Sequence, residues 1–329
     1  MEKTYFLYIT KKLHNMSEQN NQNLSEEEYL RRHIEQIENK SSSQNYNQPK
    51  VNIQVDNSRL SDLQYFAFDI KEFPCGIFYP PGTTIQVRPA QVKEIQAYSM
   101  VDDNNFYDII EKMNDMLSSC VRVKYIDGRV GSYLEVKDPD RFYLIFLIRE
   151  LTFQQGGNLN TSTDCSCGEQ IQIDLKRENF KNFEVSEKIV KYFDPQTLSF
   201  RFSIKNGRTF NLAPPTIGLQ KSFTEYIVKE NGEKRKPNLS FLKIIPFMLF
   251  DKTSISLDGI KSKLPEYEKI DDISFQFLNS AVEKMSFGIE KLKKKCDSCG
   301  LEVTTDMTFP DGPSALFVVH DAFEQFIEE

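Results

Sequence analysis

The chain has 329 residues, 39% of them hydrophobic, with 26 Phe and 14 Tyr, and a formal net charge of −7 at pH 7. This composition can fill a substantial core, and the acidic balance disfavours broad binding to phosphate backbones or anionic membrane surfaces. No apolar run approaches the roughly 20 residues of a membrane-spanning helix, so we expect a soluble, cytoplasmic protein with reduced thiols.

Residues 1–60 are predicted to form a flexible arm. They are rich in Asn, Gln, Ser and Glu, and burial of their few large apolar groups would not offset the entropy lost on ordering. A short helix over 25–40 is compatible with this arm, because Ser25 and Glu28 form a capping box before three apolar residues on one helical face. That helix would either dock on a partner or stay transient and solvated.

An α+β lobe is predicted over residues 61–160. Alternating apolar residues indicate strands near Phe66 and Ile85, and a Pro-Gly pair between them is typical of a type II turn. Helical spacing of apolar residues then places Cys120 on a core face, where it is an inert buried thiol. Cys75, in a turn without a nearby cysteine, is also assigned no chemistry.

The last helix of this lobe is predicted to be buried. Asp138 and Pro139 are typical of an N-cap and a first helical position, and apolar residues then continue on all sides to about Leu151. Asp138 and Asp140, beside Arg141, are candidates for acid chemistry. Because acidic residues are common at helix N-termini, we assign them no catalytic role.

An inserted lobe of a hairpin plus helices is predicted over residues 177–294. Apolar residues alternate on both sides of a turn at Asn206, and Thr216 can cap the helix that follows and runs to about residue 228. Two further helices are expected, over 239–250 with a kink at its proline and from residue 273 to about 294.

Two short segments, CSCG and CDSCG, each place two thiols before a glycine that can adopt positive φ, Gly168 in the first and Gly300 in the second. Each segment leads into alternating apolar residues. This pattern predicts a discontinuous zinc ribbon built from residues 161–176 and 295–329. Its four predicted metal ligands are Cys165, Cys167, Cys296 and Cys299.

The insertion between the two segments is much longer than in a contiguous ribbon, but a folded insertion can bring its ends together. Four thiolates leave no open position for water, so the zinc ion is expected to be structural and not catalytic. The alternatives are a redox pair of Cys296 and Cys299, or an incidental cluster of reduced thiols. Four lysines precede the second segment: Lys291, Lys293, Lys294 and Lys295. Their positive charge would offset the negative charge of four thiolates around zinc. Alternatively, they are the lysines favoured in the last turn of a helix.

An enzyme is not expected. The chain has three histidines, His14, His33 and His320, which is little material for a triad or a histidine metal site. It contains no P-loop, no GxGxxG, no HExxH and no GxSxG. No catalytic residue is therefore predicted.

Six short segments stand out by their order and spacing: 72–79 (EFPCGIFY), 85–89 (IQVRP), 140–151 (DRFYLIFLIREL), 165–168 (CSCG), 210–216 (FNLAPPT) and 296–300 (CDSCG). Together they resemble the baseplate hub subunit family of T-even-like contractile-tailed bacteriophages. The resemblance covers about residues 63 to 320. The CxC of the first cysteine segment departs from the commoner CxxC.

This resemblance implies a structural or assembly protein of the tail baseplate hub, acting as a component or as a chaperone that departs. The implied partners are phage tail hub, tube or tape-measure proteins, with neither nucleic acid nor membrane, in the host cytoplasm during assembly or in the tail baseplate of the virion. The alternative is a zinc-ribbon protein that binds nucleic acid through the lysine clusters at 291–295 and 234–236.

Overall fold

The computed structural model describes residues 64–153, 159–175, 187–285, 292–305 and 312–317. The predicted arm at 1–60, its short helix and all three histidines lie outside these ranges. The described chain is a mixed α/β structure with small antiparallel sheets. Within it, no helix combines the length and the apolar character needed to cross a bilayer.

A four-stranded antiparallel sheet forms the first part of the fold. Ile85 pairs with Phe68 on one side and with Val123 on the other, and both Ile85 and Val123 are fully buried. The predicted alternation therefore places one face of the sheet on the core. Gly82 has φ +77° in the predicted turn between the first two strands. The strands follow chain order: β1 Phe66–Asp69, β2 Thr84–Val87, β3 Val121–Lys124 and β4 Val130–Ser132.

Three helices accompany this sheet: α1 Val92–Ser99, α2 Phe106–Cys120 and α3 Asp140–Thr152. Cys120 is fully buried, as predicted. Helix α3 is buried on nearly all sides, also as predicted, but it begins at Asp140, one residue later than expected. Asp138 does not cap it, because its carboxylate instead forms an ion pair with Arg141.

The rest of the described chain contains two separate hairpins, a three-stranded sheet and five helices. The elements in chain order are β5 Leu159–Asp164, β6 Gln170–Leu175, α4 Glu187–Val190, β7 Phe193–Asp194, β8 Ser199–Ser203, β9 Thr209–Leu212, α5 Ile217–Gly232, α6 Leu239–Met248, α7 Leu257–Tyr267, α8 Asp272–Lys284, β10 Leu292–Lys295 and β11 Glu302–Thr305.

The predicted hairpin around Asn206 and the predicted cap at Thr216 are both present. Strands β8 and β9 pair antiparallel, and the Thr216 hydroxyl accepts a hydrogen bond from the amide of Leu219. The last predicted helix is wrong at its C-terminal end, since α8 stops at Lys284. The lysine-rich segment before Cys296 is strand β10, because it pairs with β11 in an antiparallel hairpin.

One large apolar cluster includes residues from both predicted lobes, and a smaller one lies between α5, α6 and α7. The Phe78 ring packs edge-on against Phe193 and Phe200, at 5.7 and 5.6 Å between centroids. Backbone hydrogen bonds of 2.8 Å also join the chain before α3 to the chain before α5, from Asp138 to Pro215 and from Ile217 to Val136. The division into lobes at residues 61–160 and 177–294 stays a prediction.

A buried ion pair fixes the start of α1. The two Arg88 guanidinium nitrogens donate to the two Glu94 carboxylate oxygens at 3.0 and 2.7 Å, and these side chains are only 5% and 8% exposed. Glu94 also accepts from the amide of Gln91 at 2.7 Å and completes a capping box. Loss of the carboxylate would leave a guanidinium buried without a counterion.

Glu94→Ala is therefore expected to lower the free energy of unfolding by about 3–5 kcal/mol. Urea unfolding followed by circular dichroism measures this change. Glu111→Ala, on the exposed side of α2, is the matched control and should change stability by less than about 0.5 kcal/mol. Equal stability of the two variants would contradict this account of the ion pair.

Candidate metal centre

The first cysteine pair lies in the turn of the β5–β6 hairpin. The amide of Cys165 donates to the carbonyl of Glu169 at 2.8 Å, and the amide of Gly168 donates to the carbonyl of Cys165 at 2.9 Å. Gly168 has φ +91°, in the left-handed region that favours glycine. The turn therefore curls around the sulfurs of Cys165 and Cys167, as the sequence pattern predicts.

The second pair lies in an equivalent turn of the β10–β11 hairpin. The amide of Cys296 donates to the carbonyl of Leu301, and the amide of Gly300 donates to the carbonyl of Cys296, both at 2.9 Å. Gly300 has φ +72°. Although one segment is CxC and the other CxxC, both use the same bonding pattern around the first cysteine.

The two hairpins are in contact beside the cysteines. The ammonium group of Lys294 donates to the backbone carbonyl of Gln172 in β6 at 2.8 Å. Leu292 in β10 is buried, as are Ile171 and Ile173 in β6. The middle of the chain is thus joined to its distal part by a hydrogen bond and by membership of one buried apolar cluster.

The four sulfurs converge. All four Sγ atoms lie within 4.8 Å of one another. The Cys165–Cys299 separation is 3.5 Å and the Cys167–Cys296 separation is 3.6 Å. A tetrahedral ion with sulfur bonds of about 2.3 Å requires sulfur separations of about 3.8 Å. The cluster therefore has the dimensions of a four-thiolate metal site, and these cysteines can bind a metal ion.

Hydrogen bonds and burial perturb the titration of the thiols in the cluster. The backbone amide of Cys167 donates to the sulfur of Cys165 and, as the largest effect, lowers the pKa of that thiol to about 7. The amide of Cys299 likewise lowers the pKa of Cys296, but burial and the neighbouring sulfurs outweigh it and raise that pKa to about 12. Four thiolates this close repel one another unless a positive ion lies between them.

Charged side chains surround the site unevenly. Glu169 lies 3.4 Å from the Cys296 sulfur, through its Oε2 atom. Lys293, Lys294 and Lys295 are exposed along β10. Among the described residues, the four cysteines are the one group of three or more potential ligands close enough to share an ion.

A buried polar cluster elsewhere was not predicted. The Asp140 carboxylate, fully buried at the start of α3, accepts from the Cys75 amide at 2.9 Å and from the Tyr79 hydroxyl at 2.6 Å. The Tyr79 oxygen in turn accepts from the Lys137 amide at 2.8 Å. Asp140 thus connects the turn after β1 to the chain that enters α3. The signal in the sequence was an acidic residue, Asp140, just before the apolar run 142–148.

Burial perturbs the titration of this cluster. Burial raises the pKa of Asp140 to about 7, although hydrogen bonds from Tyr79 and Cys75 lower it. Burial also lowers the pKa of Lys137 to about 8. A carboxyl group enclosed in this way holds its proton more tightly in the folded chain than in the unfolded chain.

No protein-family model, curated protein or solved structure matches this chain.

Replacing Cys165 or Cys296 by Ser is expected to reduce the metal content from one ion per chain to none and to lower the unfolding temperature, because one thiolate ligand and the closure it supports are lost. Elemental analysis and the visible spectrum of the cobalt-substituted protein measure the site. Ser166→Ala, in the same turn, is the control and should retain the ion. A fully folded wild-type chain without metal would contradict the prediction.

Asp140→Asn is expected to change the pH dependence of stability between about pH 4 and pH 7. In this range the folded wild-type chain holds a proton that the unfolded chain releases, so its stability falls as pH rises, by at most about 1.4 kcal/mol per pH unit. The amide variant keeps an acceptor but does not titrate. Its stability relative to the wild type should therefore rise over this window, as measured by urea unfolding at several pH values. Parallel profiles would show that Asp140 has an ordinary pKa.

Proposed function

We propose that this protein is a structural or assembly protein of a phage tail baseplate hub, with a scaffold closed by one structural zinc ion. The observation that carries the proposal is the convergence of four cysteine sulfurs from two distant hairpins. An ion held there joins the middle of the chain to its distal part. The chain then presents a rigid body that acts through protein contacts.

Zinc is the metal that this donor set favours. Thiolates are soft ligands, and a tetrahedral set of four suits zinc or iron. Zinc has no redox chemistry of its own, and its closed four-sulfur sites hold small folds together. The knuckles at the turns of the β5–β6 and β10–β11 hairpins support the proposed discontinuous zinc ribbon.

A role without catalysis suits this site. Four protein ligands fill the tetrahedral coordination, so the ion has no position at which to activate water or polarise a substrate. Asp140, whose pKa is raised, is enclosed by protein and accepts hydrogen bonds from its neighbours. Both features stabilise the fold.

The hub assignment comes from the sequence resemblance, and one structural relationship supports it. Two of the segments that carry the resemblance contact each other, because Asp140 of the third segment bonds Cys75 and Tyr79 of the first. Asp138, two residues before the third segment, donates its amide to the carbonyl of Pro215 in the fifth. Segments joined at or beside one junction suit a common scaffold. The proposed partners are tail hub, tube or tape-measure proteins in the host cytoplasm.

The second candidate, a nucleic-acid-binding ribbon, is favoured by the exposed lysines of β10. Two of the three are already engaged, since Lys293 lies 3.8 Å from Glu302 and Lys294 donates to the Gln172 carbonyl. The formal net charge of −7 also opposes attraction to phosphate backbones. The engaged lysines and the negative net charge both favour the assembly role over nucleic-acid binding.

Deletion of the gene from the phage that encodes this chain is expected to abolish complete tails, because the baseplate hub would lack a part or an assembly factor. Electron microscopy of infected-cell lysates and plaque counts measure the defect. A plasmid copy of the wild type or of Ser166→Ala should restore tails, and Cys296→Ser should not. The tagged wild type should co-purify with identified hub, tube or tape-measure proteins.

Normal tails in the deletion strain would overturn the hub assignment. Binding of DNA or RNA that weakens steeply as salt rises would instead support the ribbon as a nucleic-acid module. Loss of that binding when the exposed lysines are replaced by Gln would assign it to β10.

A further inference from the structure

The arrangement of the four sulfurs has a second chemical property besides metal binding. They form two close pairs, Cys165 with Cys299 at 3.5 Å and Cys167 with Cys296 at 3.6 Å. Each pair joins one hairpin to the other. A disulfide has a sulfur–sulfur bond of about 2.0 Å, so side-chain rotation over a short distance would bring either pair to bonding range once no ion separates them.

Exposure divides each pair in the same way. Cys167 and Cys299 are exposed, whereas Cys165 and Cys296 are 5% and 2% exposed. Each pair thus combines a sulfur that a dissolved oxidant can reach with a shielded sulfur that can attack the oxidised one. This is the arrangement of a peroxide-reactive cysteine and its resolving partner.

We propose that hydrogen peroxide converts the metal site into two disulfides, Cys165–Cys299 and Cys167–Cys296, which keep the hairpins joined after the ion leaves. This inference rests on the proposed metal site. It differs from a redox pair within the CxxC segment, because both bonds cross between the hairpins.

The chemistry balances with peroxide as the only oxidant. The thiolate of Cys167 or Cys299 attacks the O–O bond, which gives a sulfenic acid and hydroxide. The buried partner then attacks that sulfur and displaces its oxygen, which leaves as water after protonation, while the disulfide forms. Each disulfide consumes two thiols and one peroxide and yields two waters. Disulfide sulfurs are poor ligands, so two equivalents of peroxide release one ion.

The alternative pairings are less favourable. Four cysteines allow three complete pairings. Pairing within the hairpins requires a bond between Cys165 and Cys167 across a single residue, in a small ring that distorts the disulfide torsion from its preferred value of about 90°. The backbone hydrogen bonds of that turn oppose the distortion. The remaining pairing joins the two buried sulfurs to each other and the two exposed sulfurs to each other, so one of its bonds has no exposed sulfur for the oxidant to reach.

Loss of the ion then has two different results. Chelation leaves the hairpins joined by noncovalent contacts such as the Lys294–Gln172 hydrogen bond, whereas oxidation replaces the ion by covalent bonds. The oxidised chain should therefore keep its compact form where the chelated chain does not. A particle component that leaves the reducing cytoplasm would retain this junction.

The test uses the purified full-length chain loaded with zinc. Titration with hydrogen peroxide is expected to release one zinc per two peroxides, detected with a colorimetric chelator. The oxidised chain should keep its unfolding transition, and dithiothreitol with added zinc should restore the site. Peptide mass spectrometry without reduction should show the two cysteine segments cross-linked to each other.

Double variants identify the pairing without any metal. Cys167→Ser with Cys296→Ser leaves the exposed–buried pair of Cys165 and Cys299 and should cross-link under peroxide. The matched control, Cys167→Ser with Cys299→Ser, leaves the two buried thiols and should cross-link at least about tenfold more slowly. Equal rates, or a Cys296–Cys299 bond in the oxidised wild type, would overturn this proposal. Elemental analysis tests the zinc site separately: a purified wild-type protein without metal would overturn the zinc site.

Discussion

The convergence of four cysteine sulfurs from two distant hairpins is the constraint around which the distal part of this fold is arranged. Two hairpin turns bring their sulfurs within 4.8 Å of one another, and backbone amides in those turns favour the thiolate form of Cys165. A cation bound between them would turn the repulsion among four thiolates into attraction. In the proposed metal site, such an ion would join β5–β6 to β10–β11 across the whole segment that contains α4 to α8. The hydrogen bond from Lys294 to Gln172 already joins the two hairpins.

A second junction, at Asp140, organises the other half. Its fully buried carboxylate bonds the turn after β1 and lies beside the backbone that meets the start of α5. Burial of a carboxyl group is costly unless it is hydrogen-bonded or protonated, and here both conditions contribute. The large apolar cluster includes residues beside both junctions, among them Cys75, Cys165 and Cys296. Its packing is mainly aromatic and aliphatic, and the polar contacts at the junctions add directional constraints to it.

The sequence predicted the elements that have a regular period or a specific end. Strands β8 and β9, the cap at Thr216 and the buried thiol at Cys120 follow from alternation, hydroxyl capping and helical spacing. The convergence of the cysteines was predicted because Gly168 and Gly300 mark the two turns. The identity of the metal and the identity of the partners are proposals, because the arrangement of the cysteines determines neither.

What the sequence did not predict depends on distant partners. Strand β10 resembles the continuation of a helix, since lysines favour either state, and only its pairing with β11 decides between them. Helix α7 has a weak apolar pattern and was missed. The role of Asp140 required Cys75 and Tyr79 to be placed in space, which local spacing does not do. These are cases in which tertiary contacts override propensity.

The separation of the two cysteine hairpins along the chain has a consequence for biosynthesis. A ribosome releases the first hairpin long before the second, so the nascent polypeptide carries two ligands and an incomplete site until Cys299 emerges. In the proposed metal site, four thiolates can therefore enclose an ion only after both hairpins have been translated.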